Sequence, residues 1–173
     1  MLRPITPADA TVIASLHTAS WRAAYRGILS DAYLDGPIDG DRHATWQTRL
    51  HATTSRAFGY VALVAGTPQG FVYAFPDADR THGTLIDNLH VLPAARGAGL
   101  GRRLLEAIAA AVPTHALSPG LHLHVFEANH AARAFYRRMG GREVECVAKP
   151  QPDGQTHAEW LVTWPDATTL LAP

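Results

Sequence analysis

Gly97, Gly99 and Gly101 fall within five positions, with Arg96 before them and Arg102 and Arg103 beside them. Missing side chains at a helix entrance leave backbone amides uncovered, and the first amides of a helix have no partner inside it. Those amides sit at the positive end of the helix dipole. The chemistry of such a turn is a socket for phosphate oxygens, and the arginines add positive charge. A second chemistry-bearing stretch follows, with Glu127, Asn129, Arg133 and Tyr136 within ten positions. A carboxylate there can take up a proton, and Asn129 can cap the helix it precedes. A tyrosine hydroxyl requires a polar partner where it is buried.

These residues need elements to hold them. The first socket stretch begins as an apolar run, Leu85, Ile86, Leu89 and Val91, and ends as a helical stripe, Leu100, Leu104, Leu105 and Ile108. It reads as a buried strand over about 84–91, a glycine turn, and a helix that Pro113 stops. Residues 121–126 read as another strand, and 130–139 as another helix ended by Gly140 and Gly141. Strand, helix, strand, helix implies a parallel pair joined by a crossover.

The remaining segments frame this unit. Residues 1–4 form a short edge strand, where Pro4 denies the ladder a donor. Thr6, Pro7 and Asp9 signal a helix start, followed by an apolar stripe of Val12, Ile13, Leu16 and Ala19 and a stop near Gly27. A short helix starts at Ser30 and Asp31, and another spans about 41–51, with Asp39 and Gly40 as a break. Residues 60–64 and 70–75 make a hairpin, 76–83 a polar loop, and 142–149 and 157–164 a final hairpin. The expected fold class is α/β: a mixed, mostly antiparallel central sheet with a parallel central strand pair, flanked by helices.

The chain has 173 residues, enough for one domain with a full core. A hydrophobic fraction of 47% and a charged fraction of 17% suit a globular protein rather than a disordered one. Fifteen basic and fifteen acidic residues cancel, so no general field draws nucleic acid or an anionic membrane. No run approaches ~18 apolar residues, and no signal sequence is evident. The single cysteine, Cys146, cannot form an internal disulfide, which points to the cytoplasm. Its alternating apolar surroundings mark it as a small core residue rather than a nucleophile. His122 and His124 alternate onto one face without a third ligand at recognisable spacing, so no metal site is expected.

Arg96-x-x-Gly99-x-Gly101, preceded by Leu89-x-Val91-x-Pro93, resembles the pyrophosphate loop and fourth strand of the GNAT superfamily of acyl-CoA-dependent N-acetyltransferases. Asn129-x-x-Ala132-x-x-Phe135-Tyr136-x-x-x-Gly140 resembles the strand-five and helix-four signature of the same family. A P-loop would need Gly-Lys-Ser/Thr, which is absent, and the Rossmann spacing does not match. Trp21, Tyr25, Gly27 and Trp46 look like a common bacterial subgroup. The pattern departs from the family at Gly141, where an aromatic residue usually stands.

The resemblance implies acetyl transfer from acetyl-CoA, as cosubstrate, to a small-molecule or peptide amine, with no covalent enzyme intermediate. The cofactor-binding set it implies is Leu89, His90, Val91, Arg96, Gly97, Ala98, Gly99, Leu100, Gly101, Arg102, Asn129, Arg133 and Tyr136. Tyr136 is the candidate acid for the leaving thiolate. Glu127 ranks first as the base, Asp87 second and His90 third. By strand alternation Asp87 and His90 cannot share a face unless a bulge intervenes. Trp21 and Tyr25, four apart, are the candidate acceptor wall, holding an ammonium group by cation–π attraction. The rival reading is a non-catalytic acyl-CoA-binding or sensor module. An exposed strand edge could support a homodimer.

Overall fold

The computed structural model describes residues 1–172. Seven strands form one sheet in the order β1-β2-β3-β4-β5-β7-β6. The strands are β1 (Leu2–Pro4), β2 (Phe58–Val64), β3 (Thr67–Asp79), β4 (Gly83–Val91), β5 (Leu121–Phe126), β6 (Arg142–Pro150) and β7 (Thr156–Trp164). The helices are α1 (Ala10–Ala24), α2 (Asp31–Asp35), α3 (Ile38–His51), α4 (Leu100–His115) and α5 (His130–Arg138). The sheet is mixed and mostly antiparallel, and β4–β5 is its parallel pair.

Helix α4 forms where the apolar stripe lies. Leu104, Leu105 and Ile108 are fully buried against Val72, Ala74 and Leu121. Burying each such side chain is worth ~1.5–3 kcal/mol relative to leaving it exposed. On the other face, Ile13 and Leu16 of α1 and Trp46 of α3 pack on Val61 and Phe71. The sheet is thus covered on both sides, with α4 beneath and α1 and α3 above.

Several boundaries differ from the sequence expectations. Pro113 lies inside α4, which runs on to His115. Helix α3 starts at Ile38, so Asp39 and Gly40 fall in its first turn, where acidic residues suit the dipole. Strand β3 continues through residues 76–79 instead of ending at Phe75, and Asp79 pairs with Gly83.

Two irregularities shape the centre. Tyr73 pairs with Asn88 but Ala74 pairs with Ile86, so Asp87 is an extra residue, a bulge in β4. The parallel strands pair only at Thr84 with Leu121 and Leu85 with His122, and beyond that seam they diverge. The seam is tight: a Cβ on Gly83 would sit 2.4 Å from the Gly120 carbonyl oxygen, and one on Gly120 2.8 Å from that of His82.

Gly141 is another close approach. A Cβ there would meet Trp164 at 2.6 Å, and the Trp164 indole donates to the Met139 carbonyl at 2.8 Å. Trp164 from β7 fills the space beside Gly141.

Candidate active site

The diverging ends of β4 and β5 open a cleft of about 1020 Å³. Its lower end is the glycine turn. Gly97 and Gly99 have φ of +79° and +74°, the left-handed region that favours glycine, and a Cβ on either would meet nothing within 4 Å. The turn therefore presents open backbone to the cleft. Arg103 is the first residue to bond back into the helix, to the Gly99 carbonyl at 3.1 Å. The amides before it are the orphan donors of a helix N-terminus. This cradle fits a pyrophosphate, with Arg96 and Arg102 on its rim.

Most residues expected at the cofactor meet there. Leu89, His90, Val91, Arg96, Gly97, Gly99, Leu100, Gly101, Arg102, Asn129 and Tyr136 line the cleft, whereas Ala98 and Arg133 do not. Arg133 is committed elsewhere. It donates to both Glu143 oxygens at 2.6 and 3.1 Å, to the Glu127 carbonyl at 2.9 Å, and stacks over Trp160. Arg138 of α5 also reaches the cleft. Asn129 caps α5, accepting from the Ala132 amide at 3.2 Å. The His90 ring turns toward α1, 4.7 Å from the His17 ring, with Nδ1 3.2 Å from the Ser20 hydroxyl.

Tyr136 is buried in the wall, packed edge-on against Phe135 and Trp164. Burial pushes its hydroxyl pKa up, with Tyr25 adding to the shift, so it holds its proton at neutral pH.

The three expected bases part company. Glu127 lies in the turn just after β5. It is exposed, lies 4.0 Å from Cys146 Sγ, and does not line the cleft. Asp87 does line it, and the bulge puts Asp87 and Asn88 on one face, where Arg49 reaches both. His90 shares that face, so the bulge removes the conflict expected from strict alternation. Burial first, then Arg42 and Arg96, hold the His90 pKa down at about 3. Glu159 of β7, paired with Phe126, lines the cleft without having been singled out in the sequence. It accepts from Gln151 at 2.9 Å and lies 3.6 Å from the Lys149 ammonium, and its side chain is 14% exposed.

Trp21 and Tyr25 both line the cleft. Their rings meet edge-on at 5.2 Å, and Tyr25 meets Phe126 at 4.9 Å. Burial, then Glu159, pushes the Tyr25 pKa up to about 12. The cation over Trp21 is the chain's own Arg42, 4.8 Å from the ring, not a free space for an ammonium.

Cys146 corrects an expectation. It is exposed on β6, the outermost strand, and desolvation and Glu127 raise its thiol pKa. His122 is buried with Nδ1 3.3 Å from the His82 carbonyl, while His124 lies 3.0 Å from Lys149. Among the described residues, no three His, Cys, Asp or Glu side chains are grouped to hold a metal ion. No helix among them is long and apolar enough to cross a membrane.

The acetyltransferase (GNAT) family model matches residues 17–141, most of the chain, including the glycine turn and Tyr136. The chain belongs to the GNAT family. It is similar to a Mycobacterium tuberculosis protein named a probable N-acetyltransferase, 29% identical over 140 residues, covering 79% of this chain and 76% of that one. It is 40% identical over 77 residues to a peptidyl-lysine N-acetyltransferase of Salmonella typhimurium, spanning 48% of that protein. The fold is similar to the PaiA N-acetyltransferase of Thermoplasma acidophilum in complex with coenzyme A, with a TM-score of 0.73, 15% identity, and 94% and 96% of the two chains covered. A Rhodopseudomonas palustris GCN5-related N-acetyltransferase gives the same TM-score at 24% identity, with 94% and 93% covered. This GNAT member is accordingly an acyltransferase whose acetyl donor is acetyl-CoA.

Proposed function

We propose that residues 1–173 work as a single N-acetyltransferase domain that moves an acetyl group from acetyl-CoA to a primary amine by direct attack. The observation that carries the reading is one cleft holding both the glycine turn and the buried Tyr136. The bound donor supplies an activated acetyl thioester. The chain's residues supply the rest. The amides around Gly97–Arg102 bind the pyrophosphate, with Arg96, Arg102 and Arg138 balancing its charge. Backbone N–H groups in Leu89–Val91 stabilise negative charge on the carbonyl oxygen. Tyr136 gives its proton to the sulfur that departs.

An alkyl ammonium with a pKa near ~10 must lose a proton before it attacks. Glu159 takes it, directly or through water: Glu127 does not line the cleft, and Asp87 meets Arg49 at 2.5 Å, whereas the Lys149 ammonium stands 3.6 Å from Glu159. Trp21, Tyr25 and Phe126 wall the acceptor side. A lone exposed thiol and an acetyl-CoA donor are compatible with a cytoplasmic setting.

The test is thiol release from acetyl-CoA across a panel of primary amines, with the wild type beside Tyr136→Phe. The expected result is turnover that falls by ~10²–10⁴ in the variant at little changed acetyl-CoA affinity. Acetyl-CoA binding with no thiol release for any amine would favour the sensor reading.

A further inference from the structure

The acceptor end of the cleft carries donors that nothing in the protein satisfies. Trp46 Nε1–H donates to His17 Nδ1 at 3.0 Å. An imidazole nitrogen that accepts is the unprotonated one, so the proton of neutral His17 sits on Nε2. His17 is neutral: burial first, then His90, Arg42 and Arg49, hold its pKa well below the ordinary value. His17 Nε2–H, Trp21 Nε1–H and Arg42 Nε–H are all buried without a hydrogen-bond partner. A buried donor left without a partner is costly, and three beside one cleft point to a missing acceptor rather than chance.

Geometry gathers these groups. His17 and Trp21 of α1 and Tyr25 at its C-cap stand four apart in one row, with ring centroids 5.0 and 5.2 Å apart. Arg42 of α3 lies over Trp21. It forms no ion pair among the described residues, unlike Arg22, Arg26 and Arg49. His17, Trp21 and Arg42 all line the cleft. The lowered His17 and His90 pKa values register the same positive field from Arg42.

We propose that this corner, Arg42 with Trp21 and His17, receives a carboxylate, so that the acetylated amine belongs to an amino acid or another carboxylate-bearing amine. The proposal rests on the acyl-transfer reading and names its substrate class. Arg42 supplies the charge-assisted fork that a carboxylate matches, and the two ring N–H groups supply neutral donors. One helical turn further, Tyr25 at the end of α1 and Glu159 of β7 take the ammonium end. A diamine or polyamine would set a second positive charge against Arg42. A lysine inside a peptide would bring no carboxylate at all.

The experiment uses matched pairs that differ only by the carboxylate: tyrosine and tyramine, phenylalanine and phenethylamine, lysine and cadaverine. Phosphoethanolamine and an internal-lysine peptide complete the panel. The acid of a pair is expected to lead in kcat/KM by about tenfold or more in the wild type. In Arg42→Gln, kcat/KM for the acid is expected to fall at least about tenfold more than for its decarboxylated partner, with Arg42→Lys partly restoring it. Melting temperature and acetyl-CoA affinity establish that the variants are folded.

Equal rates within each pair, an advantage for the amine, the peptide or phosphoethanolamine, or equal losses in the variant would overturn the proposal. Absence of turnover with every amine would count against acyl transfer, and binding then decides the corner by itself. Calorimetry of N-acetylated amino acids into the CoA complex should show binding that Arg42→Gln abolishes. No binding to the wild type would overturn the proposal.

Discussion

Arg49 and Asp87 meet at 2.5 Å on the cleft wall, and the same guanidinium nitrogen reaches Asn88 at 3.2 Å. Neighbours in a regular strand point to opposite faces, so one arginine can bond both only because of the bulge. The pairing keeps Asp87 occupied with a permanent cation. Glu159→Gln is therefore expected to lower kcat/KM by ~10²–10³, while Asp87→Asn costs under ~10-fold and Glu127→Gln under ~2-fold. Steady-state kinetics on one accepted amine measures this. Equal losses at Glu127 and Glu159 would refute the choice of Glu159 by its place in the cleft.

The glycine turn offers a direct binding test. Gly99→Glu adds a carboxylate and a side chain in a left-handed position, opposite the expected pyrophosphate. Calorimetry should show acetyl-CoA affinity lowered by ~100-fold or more, about 3 kcal/mol. Unchanged affinity in a folded variant would remove the turn from cofactor binding.

Tyr25 separates packing from recognition. Its ring touches Trp21 and Phe126, and it packs against the small cluster of Leu29, Leu34 and Ile38. Tyr25→Ala is expected to raise the acceptor KM by ~10-fold and leave acetyl-CoA affinity within ~2-fold. A lower melting temperature at unchanged KM would show that the residue only fills space.

Acid should unfold this protein. The unfolded chain binds a proton at His90 near pH 6.5, but the folded chain does so only at about 3. The stability that neutral His90 contributes is thus complete above pH 6.5 and lost as pH falls toward 3. Between pH 7 and 5 the loss from His90 alone is about 2 kcal/mol, with His17 adding in the same direction. Urea melts at the two pH values check it, and His17→Gln should flatten the slope. Stability that rises on acidification would reverse the assignment.

Gly141 has no room for a methyl group, because the Trp164 ring occupies that space. Gly141→Ala should cost ~1–3 kcal/mol in overpacking, read in the same urea melts. A neutral effect would mean that Trp164 can move aside.

Strong periodicity made the centre legible. The apolar run of β4, the stripe of α4 and the three glycines between them were readable because each is local. The GNAT resemblance rested on the same residues. Glu159 and Arg42 were not legible, since a lone acid in a strand and a lone arginine in a polar helix look solvated. Only the pairing of Phe126 with Glu159, and the packing of α3 on α1, bring them to the cleft. His17 left a trace, standing four residues before Trp21 as Trp21 stands before Tyr25. Cys146 misled because alternation in an edge strand has no second layer to bury it. The bulge at Asp87 leaves no mark in residue type at all.

The two-pair seam between β4 and β5 makes the sheet a pair of plates joined at one corner. Strands β1–β4 form one plate and β5–β7 the other, and the cleft is the angle between them. A six-residue strand is ~20 Å long, so a turn of ~5° at the seam moves its far end by ~2 Å. Small changes at the corner are therefore magnified where the acetyl group is passed on. Gly83 and Gly120 close that corner backbone to backbone. A single methyl group on either would act as a wedge, felt at Tyr136 and Glu159 as misalignment rather than as lost contact.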